Sequence, residues 1–372
     1  MEKISLQKVF SEKRKKYIWG TGRRAKQLSI QLDVANTNIY GIEGYIESEA
    51  KTHMFEGLPI YSIEEFNEWE NCFVIVGVNN GYSEIFDVLS FKGLKRNIDY
   101  IHWQEIDVKY VLGISCYGKE ATAALVRNGE VVCAYKEEQF TGVQCDYHFP
   151  KNAILNCISE AGVHVLDIDA VVYNESPIRI METLVNKLDA VDEAYTKKVN
   201  DKLKIMLTEG IWIDRVIYDF FEKNIDKNKI FAYERFYSYS ASIFYKTPYT
   251  NAAILTIIGD EVSTTVTIGR GNENMVTIAK IAHLNIPIDR MKEKNILWLS
   301  NYAMKIIGEK NLCLVGDLEF LDNIKEKIKQ QIKYEDVWLI SNIDEINSAV
   351  GAALYYYYDK LDYINICNYV EC

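Results

Sequence analysis

The sequence predicts an α/β protein built from more than one domain. Apolar runs of strand length recur along the chain between stretches with helical periodicity. A length of 372 residues exceeds one ordinary core and fits two or three domains. The hydrophobic fraction of 48% and the aromatic fraction of 12% indicate a packed globular chain rather than a disordered one.

Charge and cysteine content exclude several classes of function. The net charge of −11, from 42 basic and 53 acidic residues, argues against a nucleic-acid-binding surface. Eight cysteines without a CxxC pair predict reduced, mostly buried thiols. Neither an apolar run of eighteen residues nor a signal-peptide pattern is present. We therefore expect a cytoplasmic protein that has no membrane partner.

Residues 1–108 alternate strand and helix patterns, which predicts a small Rossmann-like domain. We place strands at 16–19, 39–46, 58–61 and 73–78, a helix at 25–32, and a second helix that starts at a Ser-x-x-Glu capping box at Ser62. The order of these segments resembles the Rossmann-like modules of surface-sugar acetyltransferases and sugar-modifying enzymes. That resemblance implies a glycan pathway.

A candidate nucleotide site follows the first strand. Gly20, Gly22 and Ala25 match a G-x-G-x-x-A pattern, in which the glycines let the backbone approach a pyrophosphate at a helix N-terminus. Acidic candidates about twenty residues further on are Glu43 and Glu47. A βα turn needs small residues even when nothing binds. Binding of a nucleotide or sugar nucleotide at 20–25 and a purely structural turn are therefore both open.

Residues 111–150 carry the strongest local pattern. An apolar run containing Gly113 is followed by a turn, a second apolar run, Asn128-Gly129 and a third run. Asn-Gly between two β-prone runs is a strong hairpin signal, because both turn residues must take positive φ. An actin-like ATPase domain begins in this way, with its first turn facing the nucleotide phosphates. Gly113 is therefore a candidate cofactor-binding residue.

This stretch, together with Lys-Glu-Glu-Gln-Phe-Thr at 136–141 and Phe-Pro at 149–150, resembles the start of the O-carbamoyltransferase family (NodU/CmcH type) of antibiotic and Nod-factor biosynthesis. The resemblance covers about 109–372, with a large internal deletion. It implies an actin-like (ASKHA, Kae1-like) double domain, with a first half at 109–230 and a shortened second half at 231–372. It also implies carbamoyl transfer that depends on ATP and a metal ion.

The sequence differs from the family at the implied metal ligands. The two histidines fall on Arg235 and Tyr239, and the two aspartates fall on Ile258 and Glu345. Arginine is permanently cationic, and neither it nor isoleucine suits a catalytic divalent ion. The resemblance therefore predicts a degraded metal site, for which only carboxylates such as Glu345 remain.

Nearby carboxylates are the remaining candidates for the degraded sites. Asp260 and Glu261 lie close to the isoleucine that replaces an aspartate and are candidate stand-ins. The family's diglycine, which closes over adenosine and phosphates, falls on Gly316 and Asp317. A carboxylate there would repel a triphosphate. Gly316 stays a candidate cofactor-binding residue, while ATP binding is disfavoured.

Four residues remain candidates for catalysis. The family's His-Asp pair in the first phosphate turn falls on Lys119 and Glu120, which could hold an anion and act as a base. A solvated salt bridge is the alternative. Glu138 keeps one acid of a stretch whose arginines are replaced. His148 lies in the most family-like stretch, although its isolation favours a surface or core histidine.

Two functional hypotheses follow. The first is a pseudoenzyme: a non-catalytic or partner-dependent subunit of a glycan or secondary-metabolite pathway, without the family's metal pair and without its carbamoyl-activating YrdC-like domain. The second is an active transferase, metal-independent or fed by a partner, that acts on a sugar or natural-product hydroxyl. A protein partner would supply the activated carbamoyl group or a complete carbamoyltransferase, and the chain could form a homodimer. A sugar nucleotide at 20–25 is compatible with either hypothesis.

Overall fold

The computed structural model describes residues 4–5, 12–32, 34–35, 38, 41–50, 52–78, 81–103, 106–188, 193–259, 263–272, 275–316, 318, 324–341 and 344–362. Contacts divide the chain into two compact units, Met1–Val108 with Ala161–Val163 and Lys109–Glu160 with His164–Cys372. Within the described ranges, no helix combines the length and the apolar character needed to cross a membrane.

The first unit is built on a largely parallel sheet. Its elements are β1 (Ile4–Ser5), β2 (Lys15–Trp19), α1 (Arg23–Gln31), β3 (Ile42–Glu47), β4 (Met54–Phe55), β5 (Leu58–Ser62), β6 (Cys72–Val76), α2 (Tyr82–Phe91), β7 (Tyr100–His102) and β8 (Ile106–Asp107). The main sheet has the order β4-β5-β3-β2-β6-β7, and all its pairs except β4–β5 are parallel. Strands in this order bring the residues after β2, β3 and β6 to one sheet edge.

The helix predicted from the Ser62 capping box does not form. Ser62 donates from its backbone N–H and its hydroxyl to the Glu65 carboxylate, at 3.2 and 2.8 Å, but the chain makes only a turn there. Phe66 is buried with its ring centroid 4.6 Å from that of Trp69. Packing of these rings into the core overrides the local helix signal.

The second unit contains two five-stranded sheets. The first comprises β9 (Tyr110–Ser115), β10 (Thr122–Arg127), β11 (Glu130–Lys136), β12 (Ala170–Tyr173) and β13 (Ile230–Ala232). The second comprises β14 (Asn251–Gly259), β15 (Thr264–Asn272), β16 (Met275–Leu284), β17 (Asn311–Gly316) and β18 (Asp336–Ile340). The orders β11-β10-β9-β12-β13 and β16-β15-β14-β17-β18 are equivalent. In each sheet a three-stranded antiparallel meander is extended by two parallel strands. This duplicated sheet is the actin-like fold that the sequence predicted.

The described part of the second unit also contains α-helices. They are α3 (Glu138–Thr141), α4 (Lys151–Glu160), α5 (Pro177–Leu188), α6 (Glu193–Thr208), α7 (Ile213–Phe220), α8 (Arg235–Phe244), α9 (Glu293–Ile307), α10 (Lys325–Ile332) and α11 (Glu345–Tyr356). The predicted Asn-Gly hairpin is confirmed, with φ of 49° at Asn128 and 84° at Gly129. Strand β13 still pairs with β12, so the first sheet extends beyond residue 230.

Helices α8 and α11 cross in the centre of this unit. A Cβ at Gly351 of α11 would overlap the carbonyl oxygen of Ser238 on α8. A Cβ at Gly113 of β9 would likewise overlap the carbonyl oxygen of Ala349 on α11. The glycines therefore let the two helices and the first sheet approach at backbone distance. This packing fixes the first turns of α8 and α11, where two of the candidate ligand positions lie.

Candidate functional site

A cleft of about 1000 Å³ opens in the second unit. Its walls come from the turn after β9, from α5, from the start of α8, and from the loops around β14–β16. Among the described residues, five basic and five acidic side chains line it. The basic ones are Lys119, Arg179, Lys202, Arg235 and Arg290, and the acidic ones are Glu120, Glu175, Glu182, Glu234 and Asp289. The described lining is therefore balanced in formal charge rather than strongly basic.

Arg235 is the central charge of this cleft. Its side chain is 21% exposed, and its Nε lies 3.6 Å from a carboxylate oxygen of Glu175. A Cβ at Gly118 would lie 3.0 Å from Nη2 of Arg235, so the guanidinium rests against the turn after β9. Burial opposes its charge, but Glu345 and Glu175 nearby hold the pKa of Arg235 above its ordinary value. The guanidinium therefore stays charged.

At Glu175, burial affects the pKa of the carboxyl group more than the neighbouring charges do. Burial raises the pKa of this carboxyl group, and the positive charge of Arg235 only partly offsets the rise. Its side chain is 15% exposed. Glu175 was not predicted as a site residue from the sequence. The available signal was its place just after a buried strand, where polar side chains reach a sheet edge.

Glu345 and Tyr239 complete the group around the guanidinium. Glu345 starts α11 and is 3% exposed, and its carboxylate accepts a hydrogen bond of 2.8 Å from the Ser115 hydroxyl. Tyr239 lies one turn after Arg235 on α8 and is also buried. Burial, and then the charge of Glu345, raises the pKa of Tyr239, so its phenol is neutral. Arg235, Tyr239 and Glu345 therefore converge, as the family resemblance requires of its ligand positions.

The residues at these positions do not fit a catalytic divalent metal ion. Arg235 has no free electron pair to donate, and its positive charge opposes a cation. Two unit charges 4 Å apart at an effective dielectric constant of 20 interact by about 4 kcal/mol, and a divalent ion would double that repulsion. Ile258 adds an apolar side chain to the wall of the cleft. Within the described residues, Glu175 and Glu345 instead act as counter-charges to the guanidinium.

The turn after β9, which we expect from the sequence to face nucleotide phosphates, lines the cleft. Tyr117 has a φ of 63°, and the Lys202 ammonium donates to the Gly118 carbonyl oxygen. Lys119 is exposed on the cleft wall. Glu120 pairs with Lys136, 2.7 Å away. An ion pair thus engages the proposed base.

Glu138 lies beside Glu120 rather than apart from it. One ligand atom from each of Glu120, Glu138 and Cys145 lies within 4.8 Å of the others. The Glu138 carboxylate accepts a hydrogen bond of 2.9 Å from the Cys145 backbone N–H. The Lys136 ammonium already supplies a positive charge to this group, which weighs against a cation there.

His148 is itself a surface residue. Its Nδ1 is 2.9 Å from Asp146, its ring stacks on Tyr147 at 4.7 Å between centroids, and its side chain is 56% exposed. It is not among the residues that line the cleft. The surface alternative therefore describes His148 better than the catalytic one.

The buried acid of the Glu137-Glu138 pair is Glu137, whereas Glu138, the candidate for catalysis, is partly exposed. The Glu137 carboxylate accepts hydrogen bonds from the backbone N–H groups of Asn152 and Ala153, at 3.2 and 2.9 Å, and from the Asn152 amide, at 2.7 Å. These donors lie in the first turn of α4, where a negative charge is stabilised. Glu137 therefore has a structural role.

Of the two candidate cofactor glycines of the second unit, Gly113 is a packing position. Gly113 lies beneath α11, and Gly316 is buried at the end of β17. Neither is among the residues lining the cleft. The sequence predicts that Asp260 and Glu261 are stand-in metal ligands and that Asp317 repels ATP. All three residues lie outside the described residues.

In the first unit, the predicted fingerprint comes together with one of its two acidic candidates. Gly20 has a φ of 115°, a Cβ added at Gly22 would meet no atom within 4 Å, and Ala25 is fully buried. Glu47 ends β3 and accepts a hydrogen bond of 2.5 Å from the Thr21 hydroxyl. Glu43 lies near the start of the same strand, away from the end that meets the fingerprint. Of the two acidic candidates, Glu47 is therefore the one that lies beside the fingerprint.

The duplicated sheet and the crossed helices define the second unit as actin-like. The family model described as "Carbamoyltransferase N-terminus" matches residues 110–288. This segment is therefore a carbamoyltransferase-family N-terminal domain, the family that the sequence resemblance predicted.

Individual relatives agree with this assignment. The chain is 29% identical over 171 residues to an uncharacterised protein, sll1178, of Synechocystis, covering 44% of this chain and 28% of the relative. It is 25% identical over 183 residues to the nodulation protein NolNO of Sinorhizobium fredii, covering 49% and 25%. The chain thus spans about a quarter of the length of these curated relatives. Among solved structures, it is similar to YeaZ from Pseudomonas aeruginosa, with 10% identity, a TM-score of 0.36, and coverage of 67% of this chain and 93% of that one.

Proposed function

We propose that the second unit is a carbamoyltransferase-family subunit that binds rather than catalyses, and that works with a protein partner in a glycan or secondary-metabolite pathway. The observation that carries this proposal is Arg235, whose guanidinium stands where the family resemblance places a metal ligand. The similarity to a nodulation protein supports the glycan context.

The physical basis is replacement of a cation by a side chain. A metal ion would neutralise the carboxylates at the ends of β12 and α11. Here the Arg235 guanidinium lies beside Glu175 and supplies that positive charge itself. The glycine packing of α8 on α11 keeps the cleft intact. The scaffold is therefore retained, while the ligand set is not.

Thermal unfolding with added ligands tests the proposal. We expect Mn²⁺, Fe²⁺ or Mg²⁺, each with and without ATP, to leave the Tm of the second unit unchanged. A metal-dependent rise in Tm with ATP that Glu345→Ala abolishes would contradict the proposal. Glu335→Ala is the matched control, because Glu335 pairs with Lys310 at an exposed position.

A partner-fed transferase is the second candidate, and the retained cleft favours it. Lys119 lies exposed on the cleft wall beside Glu120, so an anionic donor group and an acceptor hydroxyl could meet there. Carbamoyl transfer from an activated donor to a sugar hydroxyl, lost in Lys119→Met but retained in Lys310→Met, would support this candidate. Absence of transfer would support the binding subunit.

We also propose that the first unit binds a sugar nucleotide at residues 20–25. The open position of Gly22 and the placement of Glu47 beside Thr21 support it. Calorimetric titration with UDP-sugars should give binding that Gly22→Asp abolishes. Glu47→Gln should weaken this binding, whereas Glu43→Gln should not. Equal effects of the two glutamine variants would count against the assigned site.

A further inference from the structure

Helix α9 carries a strip of exposed apolar side chains on one face. No contact among the described residues accounts for this strip. Trp298 is 62% exposed, and Tyr302 and Ile306 are each 37% exposed. The rings of Trp298 and Tyr302 stack with planes 10° apart and centroids 5.3 Å apart. Positions i, i+4 and i+8 lie on one helix face, so the three side chains form a continuous strip about 12 Å long.

This strip is not needed to hold the helix in place. The opposite face of α9 carries Ile296, Ser300 and Ala303, which are buried. Ile296 and Ala303 belong to the core cluster formed with the second sheet. Large exposed apolar patches mark interaction sites, and tryptophan and tyrosine are enriched among residues that dominate binding energy. The strip therefore has the composition of a docking surface.

The charges beside the strip indicate what it would receive. Lys294 and Lys305 lie on the same helix face as Trp298, and both are exposed. Among the described residues, neither lysine has an ion pair, whereas Glu293 is held by Lys327 at 2.8 Å. The face is thus locally basic on a chain whose net charge is −11. An acidic partner surface would complement it.

A second copy of the same face fits less well. Antiparallel pairing of two α9 helices would bring four lysines together without a carboxylate from this face to offset them. Like charges across an interface are unfavourable. An amphipathic helix with apolar residues at i, i+3, i+4 and i+7 matches the strip, because it can pack along it as one helix packs on another.

We propose that the face of α9 formed by Trp298, Tyr302 and Ile306, flanked by Lys294 and Lys305, docks an acidic amphipathic helix of a partner protein. This inference rests on the proposed function, because a partner-dependent subunit needs a surface for its partner. It specifies the docking element of that partner as an acidic amphipathic helix.

Binding of two synthetic peptides to the full chain tests the inference. Both are 18-residue helical peptides with leucines at i, i+3, i+4 and i+7, and the remaining face carries glutamates in one and lysines in the other. Fluorescence anisotropy should show tighter binding of the acidic peptide, weakened at least tenfold by Trp298→Ala and by Lys305→Glu. Trp212→Ala is the matched control, since Trp212 is 55% exposed elsewhere on the second unit.

The outcomes separate this inference from the proposed function. Absence of peptide binding, equal binding of both peptides, or an equal effect of Trp212→Ala would overturn the docking surface. A concentration-dependent dimer that Trp298→Ala abolishes would overturn it in favour of a second copy. Stabilisation by ATP with a metal ion would instead overturn the proposed function and leave the peptide result unaffected.

Discussion

The two units differ in the residues that lie at the ends of their strands. In the first unit, a Cβ at Gly22 would meet no atom within 4 Å, and the Thr21 hydroxyl donates a hydrogen bond to Glu47, so the predicted glycine pattern keeps open space at the end of β2. In the second unit, Gly113 and Gly351 allow close helix packing, while Arg235 and Tyr239 occupy positions that the family resemblance assigns to metal ligands. A glycine that a close backbone contact requires is needed for the fold even when no ligand binds. Such glycines are therefore weak evidence for a ligand, whereas side chains at the strand ends are stronger evidence.

The largest expected effect comes from adding a methyl group where the backbones touch. Gly351→Ala should destabilise the second unit by about 3 kcal/mol or more, because the new Cβ meets the Ser238 carbonyl oxygen rather than a flexible side chain. Urea unfolding followed by hydrogen exchange measures the effect unit by unit. Gly22→Ala is the control and should change stability by less than about 0.5 kcal/mol. Equal losses would remove the contrast between the two units.

Removal of the central guanidinium should have the next largest effect. Arg235→Met should cost the second unit about 3 kcal/mol at neutral pH, because Glu175 and Glu345 would remain buried without their counter-charge. Unfolding in urea at pH 7.5 and 5.5 measures the loss. It should shrink at the lower pH as Glu175 takes up a proton. An unchanged stability would show that the guanidinium does not neutralise these acids.

Two acids, one in each unit, should contribute to the pH dependence of stability with opposite signs. Burial raises the pKa of Glu175, so its folded state binds the proton more tightly, and its contribution to stability falls as pH rises above 4.5. In the first unit, Arg14 lowers the pKa of Glu12 to about 2, so that contribution is present above 4.5 and is lost as pH falls towards 2. Urea unfolding of Glu175→Gln and Glu12→Gln across pH 3 to 7 checks the two signs. If both substitutions changed the slope of unfolding free energy against pH in the same direction, one of the two pKa shifts would have the wrong sign.

The smallest effect concerns the neighbouring acids after β11. Glu137→Ala should cost about 2 kcal/mol, because it removes charge-assisted hydrogen bonds to the first turn of α4. Glu138→Ala should cost less than about 1 kcal/mol, since its described hydrogen bond is at an exposed position. Thermal unfolding of both variants compares them. A larger loss at Glu138 would reverse the assigned roles.

The fold was predictable where local chemistry agrees with tertiary packing. The positive φ angles of Asn128 and Gly129 fix a hairpin. The apolar runs of both sheets have the length of buried strands, so few other assignments of secondary structure fit them. The helix predicted at Ser62 was wrong because Phe66 and Trp69 pack into the core from a turn. Local capping chemistry does not report such long-range ring contacts.

The candidate site was only partly predictable. Convergence of Arg235, Tyr239 and Glu345 followed from the family resemblance, whereas the partner of the guanidinium did not. Glu175 lies about 60 residues earlier in the chain, and the parallel pairing of β12 with β13 brings it beside Arg235. Likewise, nothing local distinguishes Glu137 from Glu138. Their burial depends on the position of α4.

The most direct test is calorimetric titration of Mn²⁺ into the wild-type chain and into the double variant Arg235→His/Tyr239→His. If the guanidinium replaces the metal ion, the wild type does not bind Mn²⁺. The double variant should bind it, because two imidazoles one helical turn apart would join the Glu345 carboxylate as ligands. Stoichiometric Mn²⁺ binding by the wild type that Glu345→Ala abolishes would contradict replacement of the metal by a guanidinium. Failure of the double variant to bind would contradict convergence of the three positions.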